Sequence, residues 1–230
     1  MTGFLLLEGG AEFGGGMAIP DRRALELAGG YDAPLVILPT AAAPDHNDQH
    51  AGQNGARWFA HLGARQVSVL PLVDAASANS PEIAGAIRVA RLIYLLGGFP
   101  DYLARTLADS LSAAAMWEAY RAGAVLGGSS AGAMVLCEHV YHPQSGEVIP
   151  GLNFITGACV IPHHNTFGRG WVSRLATLFQ SGEILIGIDE QTGMIAASPQ
   201  ESWTVFGKGA VTLYRDSRPT RYPPGETFLL

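Results

Sequence analysis

Short apolar runs alternate with amphipathic stretches over most of the chain. Uninterrupted apolar runs of this length are typical of parallel strands that are buried on both faces. The predicted strands are Phe4–Leu7, Leu35–Pro39, Gln66–Leu70, Leu92–Leu96, Ala124–Leu126, Ala158–Ile161 and Ile184–Ile188. The predicted helices are Asp21–Ala28, Asn47–Leu62, Pro81–Ala90, Asp101–Ala122, Ala131–His139 and Trp171–Gln180. This order predicts an α/β fold, a three-layer sandwich in which helices cover both faces of a mostly parallel sheet.

The C-terminal part follows a different pattern. Strands are predicted at Met194–Ala197, Trp203–Phe206 and Ala210–Tyr214 with no helix between them, and Gly207-Lys208-Gly209 predicts a hairpin turn. These strands are expected to lie antiparallel at one edge of the sheet, followed by the turn-rich segment Arg218–Gly225. Because no linker, repeat or low-complexity segment interrupts the pattern, we expect a single domain over residues 1–230.

Composition narrows the function classes. The chain is 48% hydrophobic and 15% charged, as in a compact globular protein. A net charge of −6 and the lack of a Lys/Arg cluster argue against a nucleic-acid partner. The N-terminal segment lacks a basic leader, and no segment approaches the roughly 20 apolar residues of a membrane span. We therefore expect a cytoplasmic protein with no membrane partner.

Cysteine and histidine positions predict neither a disulfide nor a metal site. Cys137 and Cys159 lie in apolar stretches and are expected to be buried and reduced. His46 and His50 have a spacing that binds metals on a helix, but no third ligand accompanies them. The glycines of residues 9–16 do not form a dinucleotide fingerprint, so no cofactor is expected.

The segment Gly128-Ser129-Ser130-Ala131-Gly132 matches Gly-x-Ser-x-Gly and joins a predicted strand to a predicted helix. In that context the motif predicts a nucleophile elbow, in which Ser130 is exposed on a sharp turn. The N–H of Ala131 is expected to face the oxyanion, and Gly97-Gly98, after another strand, can supply a second donor.

A serine nucleophile needs a general base and a carboxylate that orients it. His163 and His164 end a predicted strand at the edge of the sheet where the active site should lie, and one of them is expected to be the base. The candidate carboxylates are Glu147, in the segment between the elbow and the histidines, and Asp189 and Glu190, which end another strand at that edge.

Five short segments together resemble the peptidase E and cyanophycinase family of serine peptidases, which have a class I glutamine amidotransferase-like fold. These segments are Gly9-Gly10-Ala11-Glu12, Leu38-Pro39-Thr40-Ala41, Gly97-Gly98, Gly128-Ser129-Ser130-Ala131-Gly132-Ala133 and Gly187-Ile188-Asp189-Glu190, with Arg174-Leu175 as a further match. The resemblance covers most of the chain.

The resemblance implies a serine peptidase that hydrolyses peptide or isopeptide bonds in short or aspartyl-containing peptides through a Ser-His-Glu triad. By position, Ser130 matches the nucleophile, His164 the base and Glu147 the acid, while Gly98 and Ala131 match the oxyanion-hole donors. Relatives are often dimers, and an exposed edge of C-terminal strands permits a homodimer.

Three departures from the family pattern concern the substrate and the base. Phe99-Pro100 replaces the polar residues that follow the glycine pair in relatives, and Pro162-His163-His164 replaces Asp-Gln-His. The spacing from His164 to Arg174-Leu175 is one residue longer than in the family, so His163 stays open as the base. The residues expected to contact substrate are Phe99, His163, Arg169, Asp189 and Glu190.

Two other functions fit the same motif. An esterase of the α/β-hydrolase type also has serine, acid and histidine in this order, but its first strands form an antiparallel pair. The substituted substrate residues also suit a catalytically silent module that binds a small molecule or a partner.

Overall fold

The computed structural model describes residues 2–179, 182–215 and 218–230. Within these ranges the chain forms fourteen strands and eight α-helices. The strands are β1 Phe4–Glu8, β2 Leu35–Leu38, β3 Val67–Val69, β4 Leu92–Leu95, β5 Val125–Ser129, β6 Cys137–His142, β7 Glu147–Pro150, β8 Ile155–Ile161, β9 Ile184–Ile188, β10 Thr192–Ala196, β11 Trp203–Gly207, β12 Val211–Arg215, β13 Arg218–Tyr222 and β14 Thr227–Phe228.

The helices are α1 Ala18–Leu27, α2 Asp48–His61, α3 Ala75–Ala78, α4 Pro81–Val89, α5 Pro100–Leu107, α6 Leu111–Arg121, α7 Ala131–Leu136 and α8 Val172–Leu175. Short 3-10 segments occur at Gly15–Met17, Thr40–Asp45 and Phe167–Trp171. None of the helices in the described ranges combines the length and the apolar character that a membrane crossing requires.

The larger sheet has eight strands in the order β14-β11-β10-β1-β5-β4-β2-β3. Strands β1 to β5 within it pair in parallel, whereas β10, β11 and β14 pair antiparallel at one edge. Alternate residues of β1 point to opposite faces, so Leu5 and Leu7 pack in one core and Leu6 in the other. The predicted α/β architecture with antiparallel edge strands is therefore confirmed.

A second sheet of six strands, in the order β13-β12-β9-β8-β6-β7, is the main feature that the hydrophobic pattern missed. The predicted hairpin at Gly207–Gly209 is wrong, because β11 pairs with β10 in the larger sheet and β12 pairs with β9 in the smaller one. The segment Arg218–Gly225, expected to be turns, contributes β13 to the smaller sheet.

Three predicted helices are shorter than expected. Helix α7 ends at Leu136, because Cys137 is extended and begins β6. The stretch 101–122 divides into α5 and α6, since Asp109 has a φ of 53° and Ser110 caps α6 by accepting from the N–H of Ala113. Within the predicted helix 171–180 only Val172–Leu175 is α-helical, and residue 180 lies outside the described residues.

Two buried carboxyl groups lie close together, Glu8 at the end of β1 and Asp21 on α1. Tyr94 donates its hydroxyl hydrogen to Glu8, and Trp58 Nε1 donates to Asp21 Oδ2 at 2.7 Å. The remaining oxygens, Glu8 Oε1 and Asp21 Oδ1, have no other partner among the described residues and interact with each other. Because two carboxylates cannot hydrogen-bond, this pair retains a proton. Burial raises the pKa of Asp21 from the usual 3.8 to about 7, and it also raises the pKa of Glu8.

The buried pair predicts that stability falls as pH rises. Between about pH 4 and pH 7 the folded state holds a proton on Asp21 that the unfolded state has lost, so this side chain lowers the free energy of unfolding by roughly 4 kcal/mol as the pH rises over that range. The substitution Asp21→Asn should flatten this dependence, because its amide can accept from Trp58 and donate to Glu8 without titrating. Urea unfolding between pH 5 and pH 8 measures both slopes.

The matched control is Asp32→Asn, which changes an exposed carboxylate beside Arg65 and should retain the wild-type slope. Equal slopes for the wild type and Asp21→Asn would contradict a shared proton in the buried pair.

Candidate active site

Ser130 lies at the junction of β5 and α7 in a conformation that residues with a Cβ seldom adopt. Its φ is 51° and its ψ is −112°, and its N–H donates to the carbonyl of Glu8 at 3.0 Å. Two glycines permit the turn: a Cβ at Gly128 would lie 2.4 Å from the carbonyl of Gly132, and a Cβ at Gly132 would lie 2.2 Å from the Leu95 carbonyl oxygen. The predicted nucleophile elbow therefore has its expected geometry.

His163 is the histidine that contacts the serine. Its Nε2 lies 3.0 Å from Ser130 Oγ. The backbone of His163 has a φ of 50°, and its N–H donates to the carbonyl of Gly9 at 2.7 Å. The imidazole rests on the backbone of Gly10, where a Cβ would lie 2.3 Å from His163 Cε1. Gly10 therefore leaves the space that the ring needs to reach Ser130.

Glu190 completes a line of contacts from carboxylate to hydroxyl. Its Oε1 lies 2.8 Å from His163 Nδ1 and accepts from the Thr166 hydroxyl at 3.2 Å. The hydrogen bond from His163 holds the pKa of Glu190 below its usual value, so this side chain is ionised near neutral pH. An ionised carboxylate accepts from Nδ1–H and leaves Nε2 free to take the serine proton.

The structure places the side chains of the predicted base and acid away from Ser130. His164, expected beside Ser130, is 6% exposed and faces away from it: its Nδ1 lies 3.3 Å from Asp189 Oδ1 and its Nε2 lies 2.8 Å from the Tyr214 hydroxyl. Glu147 is exposed at the start of β7, an edge strand, and none of its described contacts involves either histidine. His163 lies beside Ser130 in place of His164 because its positive φ directs the first histidine of the pair toward the elbow.

Glu12 is a half-buried residue that links two segments of the site, and no role was predicted for it from the sequence. Its Oε2 accepts from the Ser129 hydroxyl at 2.8 Å, and its Oε1 accepts from the N–H of Gly97 at 3.1 Å. One carboxylate thus joins the residue before the nucleophile to the residue before Gly98. The available signal was an acidic residue shortly after the glycine pair that follows the first strand, in Gly9-Gly10-Ala11-Glu12.

Gly98 and Ala131 lie where an oxyanion hole is expected. Both line the same cavity as Ser130 and His163. No acceptor among the described residues takes the N–H of either residue. Free backbone N–H groups beside a nucleophile can stabilise the negative charge of a tetrahedral intermediate.

The cavity in front of Ser130, called here the nucleophile cavity, has a volume of about 370 Å³. Its walls are mostly apolar, with Phe99, Pro100, Met134, Phe167 and Trp171 among them. Phe167 stacks on the His163 ring with centroids 4.6 Å apart. Of the expected substrate residues, Phe99 and His163 line this cavity, Glu190 contacts His163 behind it, and Arg169 and Asp189 line a different cavity.

No group of three or more potential metal ligands occurs in the part of the chain that the structure describes. Cys137 and Cys159 are both buried and unpaired, as expected.

The chain matches a known family and is similar to several named proteins. A model of peptidase family S51 matches residues 5–198. A cyanophycinase of Geminocystis herdmanii (strain PCC 6308) is 29% identical over 203 residues, covering 84% of this chain and 73% of that protein. A cyanophycinase of Trichormus variabilis is 27% identical over 197 residues, covering 81% of this chain. The chain spans only 64% of the length of that second relative.

Solved structures have the same fold. A peptidase from an acI-B1 Actinobacterium superposes with a TM-score of 0.90 at 30% identity, covering all of this chain and 98% of that one. A putative peptidase E protein from Listeria monocytogenes EGD-e superposes with a TM-score of 0.67 at 18% identity, covering 90% of this chain and 99% of that one.

The contact geometry predicts which residue reacts with a fluorophosphonate probe. Ser130 should be labelled, and Ser130→Ala should abolish the labelling. His163→Ala and Glu190→Gln should each lower the labelling rate by about a hundred-fold or more, because they remove the base or its orienting partner. Rates come from timed labelling, and tandem mass spectrometry locates the adduct.

Matched variants of the residues predicted from sequence serve as controls. His164→Asn and Glu147→Gln should retain rates within about ten-fold of the wild type, since neither side chain contacts Ser130 or His163. The opposite pattern, with His164→Asn inactive and His163→Ala reactive, would overturn the assignment of the contacts.

A second prediction concerns Glu12. Glu12→Ala should lower the labelling rate by about ten-fold to a hundred-fold, because it frees both segments that hold the oxyanion donors and the nucleophile. Glu12→Gln should retain most of the rate, since its amide can accept from the Gly97 N–H and donate to the Ser129 oxygen. A wild-type rate for a folded Glu12→Ala variant would exclude this role.

Proposed function

The chain belongs to peptidase family S51, and on that premise we propose that it is a serine peptidase of short peptides with a Ser130–His163–Glu190 triad. The observation that supports this proposal most strongly is the unbroken line of contacts from Glu190 Oε1 to His163 Nδ1 at 2.8 Å and from His163 Nε2 to Ser130 Oγ at 3.0 Å. The proposed triad has the Ser-His-Glu composition that the resemblance implied. Its histidine is His163 in place of His164, and its glutamate is Glu190 in place of Glu147.

In the proposed first half-reaction, Ser130 Oγ attacks the carbonyl carbon of the substrate while its proton moves to His163 Nε2. The N–H groups of Gly98 and Ala131 then stabilise the oxyanion of the tetrahedral intermediate. When the intermediate collapses, the C–N bond breaks and His163 delivers the proton to the departing amine. The remaining acyl group is esterified to Ser130.

In the second half-reaction His163 takes a proton from water, and the resulting hydroxide attacks the acyl carbon. Collapse of the second intermediate returns the proton to Ser130 Oγ and releases a carboxylic acid. Glu190 stays ionised throughout and stabilises the imidazolium that forms in each half-reaction.

The nucleophile cavity supports a substrate with an apolar side chain on the acyl side of the scissile bond. Phe99, Met134, Phe167 and Trp171 offer apolar surface, and no lysine or arginine is among the described residues that line this cavity. An acidic side chain would lose water there without gaining a cationic partner. This argues against an aspartyl residue at that subsite and, for the same reason, against the substrate named by the cyanophycinase relatives.

Neither alternative function has a specific observation in its favour. An α/β-hydrolase-type esterase is expected to begin with an antiparallel pair of its first strands, whereas β1 here lies between β10 and β5 and is not a neighbour of β2. A catalytically silent module has no need of a serine hydroxyl held 3.0 Å from an imidazole nitrogen.

A peptide library tests the proposed function. The wild-type protein should hydrolyse di- and tripeptides that have an apolar residue on the acyl side, and Ser130→Ala should release no new amine. Phe99→Asn should lower kcat/KM for these peptides by about ten-fold, because apolar contact with the substrate is lost. New amino groups are quantified by derivatisation and mass spectrometry.

The control variant for this library is Glu82→Gln, on an exposed helix face, which should leave kcat/KM unchanged. The proposal would be contradicted if Ser130→Ala still hydrolysed the peptides, or if the wild-type protein hydrolysed only the aspartyl peptides of the library.

A further inference from the structure

A second and larger cavity, about 630 Å³ in volume, lies beside the triad. We infer that it binds a small carboxylate, of about the size of an amino acid or a dipeptide, at a site separate from the nucleophile cavity. It is called here the arginine cavity, and it is lined by Arg169, Arg221, His164, Asp189, Tyr214 and Val172 among others. This inference does not depend on the proposed function.

Two pairs of adjacent residues separate the two cavities. In the first pair His163 contacts Ser130, whereas His164 lines the arginine cavity. In the second pair Glu190 contacts His163, whereas Asp189 lines the arginine cavity. Each pair thus has one side chain on the triad and the other in the arginine cavity.

The polar groups at the base of the arginine cavity satisfy one another. Asp189 Oδ1 lies 3.3 Å from His164 Nδ1, and Asp189 Oδ2 accepts from the N–H of Ala210 at 2.9 Å. Since a carboxylate can only accept, His164 carries its proton on Nδ1, and its Nε2 accepts from the Tyr214 hydroxyl at 2.8 Å. The polar groups of Asp189, His164 and Tyr214 therefore have hydrogen-bond partners within the protein, and the two arginines are the groups available to a ligand.

Arg169 and Arg221 supply the positive charge. No carboxylate among the described residues lies within ion-pair distance of Arg169. Arg221 Nη2 lies 3.7 Å from Asp189 Oδ2, and its side chain is 63% exposed. Burial lowers the pKa of His164. The nearby Asp189 carboxylate acts in the opposite direction, and the charges of Arg169 and Arg221 lower the pKa further, so the imidazole is neutral near pH 7. Two guanidinium groups and one carboxylate leave one net positive charge.

That charge and the shape of the cavity favour a carboxylate. A monoanion neutralises the site, whereas a phosphate dianion would leave excess negative charge beside Asp189. The planar guanidinium of Arg169 matches a carboxylate through two parallel hydrogen bonds. The volume exceeds what a lone carboxylate fills, and Val172 and Pro219 offer apolar surface to the remainder of a ligand.

Isothermal titration of the full chain with N-acetyl-L-alanine tests this site. The Ser130→Ala variant is used so that turnover cannot interfere, and N-acetyl-L-alaninamide serves as the uncharged control ligand. At constant ionic strength we expect saturable binding of the acid with a dissociation constant on the order of 1 mM and no saturation by the amide. Because binding is measured without catalysis, failure here is distinct from failure of the proposed peptidase activity.

Two further substitutions locate the ligand. Arg169→Gln should weaken binding by about ten-fold or more, since it removes a charge-assisted pair. Arg174→Gln removes the same charge from α8, outside the cavity lining, and should bind like its parent. Equal binding by Arg169→Gln and its parent, or equal binding of the acid and the amide, would overturn the proposal.

A titration of His164 by NMR tests the same site without a substitution at Arg169, and so does not depend on whether Arg169→Gln folds. The groups that face this imidazole are Asp189, Tyr214, Arg169 and Arg221. A bound carboxylate offsets the charge of the arginines, so the titration midpoint of His164 should rise when N-acetyl-L-alanine is present. A perturbed His163 signal with an unchanged His164 signal would put the ligand in the nucleophile cavity and overturn the proposal.

Discussion

A strand that becomes a helix within one residue forces that residue out of regular backbone conformations, and Ser130 occupies this position between β5 and α7. A non-glycine residue held in such a conformation costs about 1–3 kcal/mol, so the surrounding structure must stabilise it. The parallel pairing of β1 with β5 aligns Glu8 with Ser129, and the Glu8 carbonyl accepts from the Ser130 N–H. Gly128 and Gly132 remove the side chains that would block the turn. The exposed hydroxyl is thus a consequence of how two central strands pair.

Carboxyl groups stabilise this elbow from two directions. The backbone carbonyl of Glu8 accepts from the N–H of Ser130, and the buried side chain of Glu8, at the carboxyl end of β1, shares a proton with Asp21. The carboxylate of Glu12 connects Ser129 to Gly97 from the side of the oxyanion donors. A third carboxylate, Glu190, acts on the opposite side of His163. Burial favours the protonated form of the Glu8–Asp21 pair, whereas the hydrogen bond from His163 keeps Glu190 ionised.

Periodicity and motif were sufficient to predict the parallel sheet, the sharp turn at Ser130 and the placement of Gly98 and Ala131 beside it, because each depends on residues that are close in the chain. The choice between His163 and His164 depends on one backbone angle, the φ of 50° at His163, for which no adjacent glycine or turn motif gave a signal. Glu190 lies 27 residues beyond His163, and only the parallel pairing of β8 with β9 brings the ends of these strands together. The second sheet was missed because β6 continues the apolar pattern of α7 without a turn residue between them.

We propose that Ser130, His163 and the N–H groups of Gly98 and Ala131 surround a single reacting carbonyl. The match to peptidase family S51 and the geometry of the elbow both support this arrangement. The most direct measurement of that claim is a crystal structure of the protein after reaction with a fluorophosphonate. We expect a bond from Ser130 Oγ to phosphorus, with the phosphoryl oxygen within hydrogen-bond distance of both N–H groups and His163 Nε2 beside Oγ. An adduct on another residue, or a phosphoryl oxygen directed away from Gly98 and Ala131, would show that these groups do not act together.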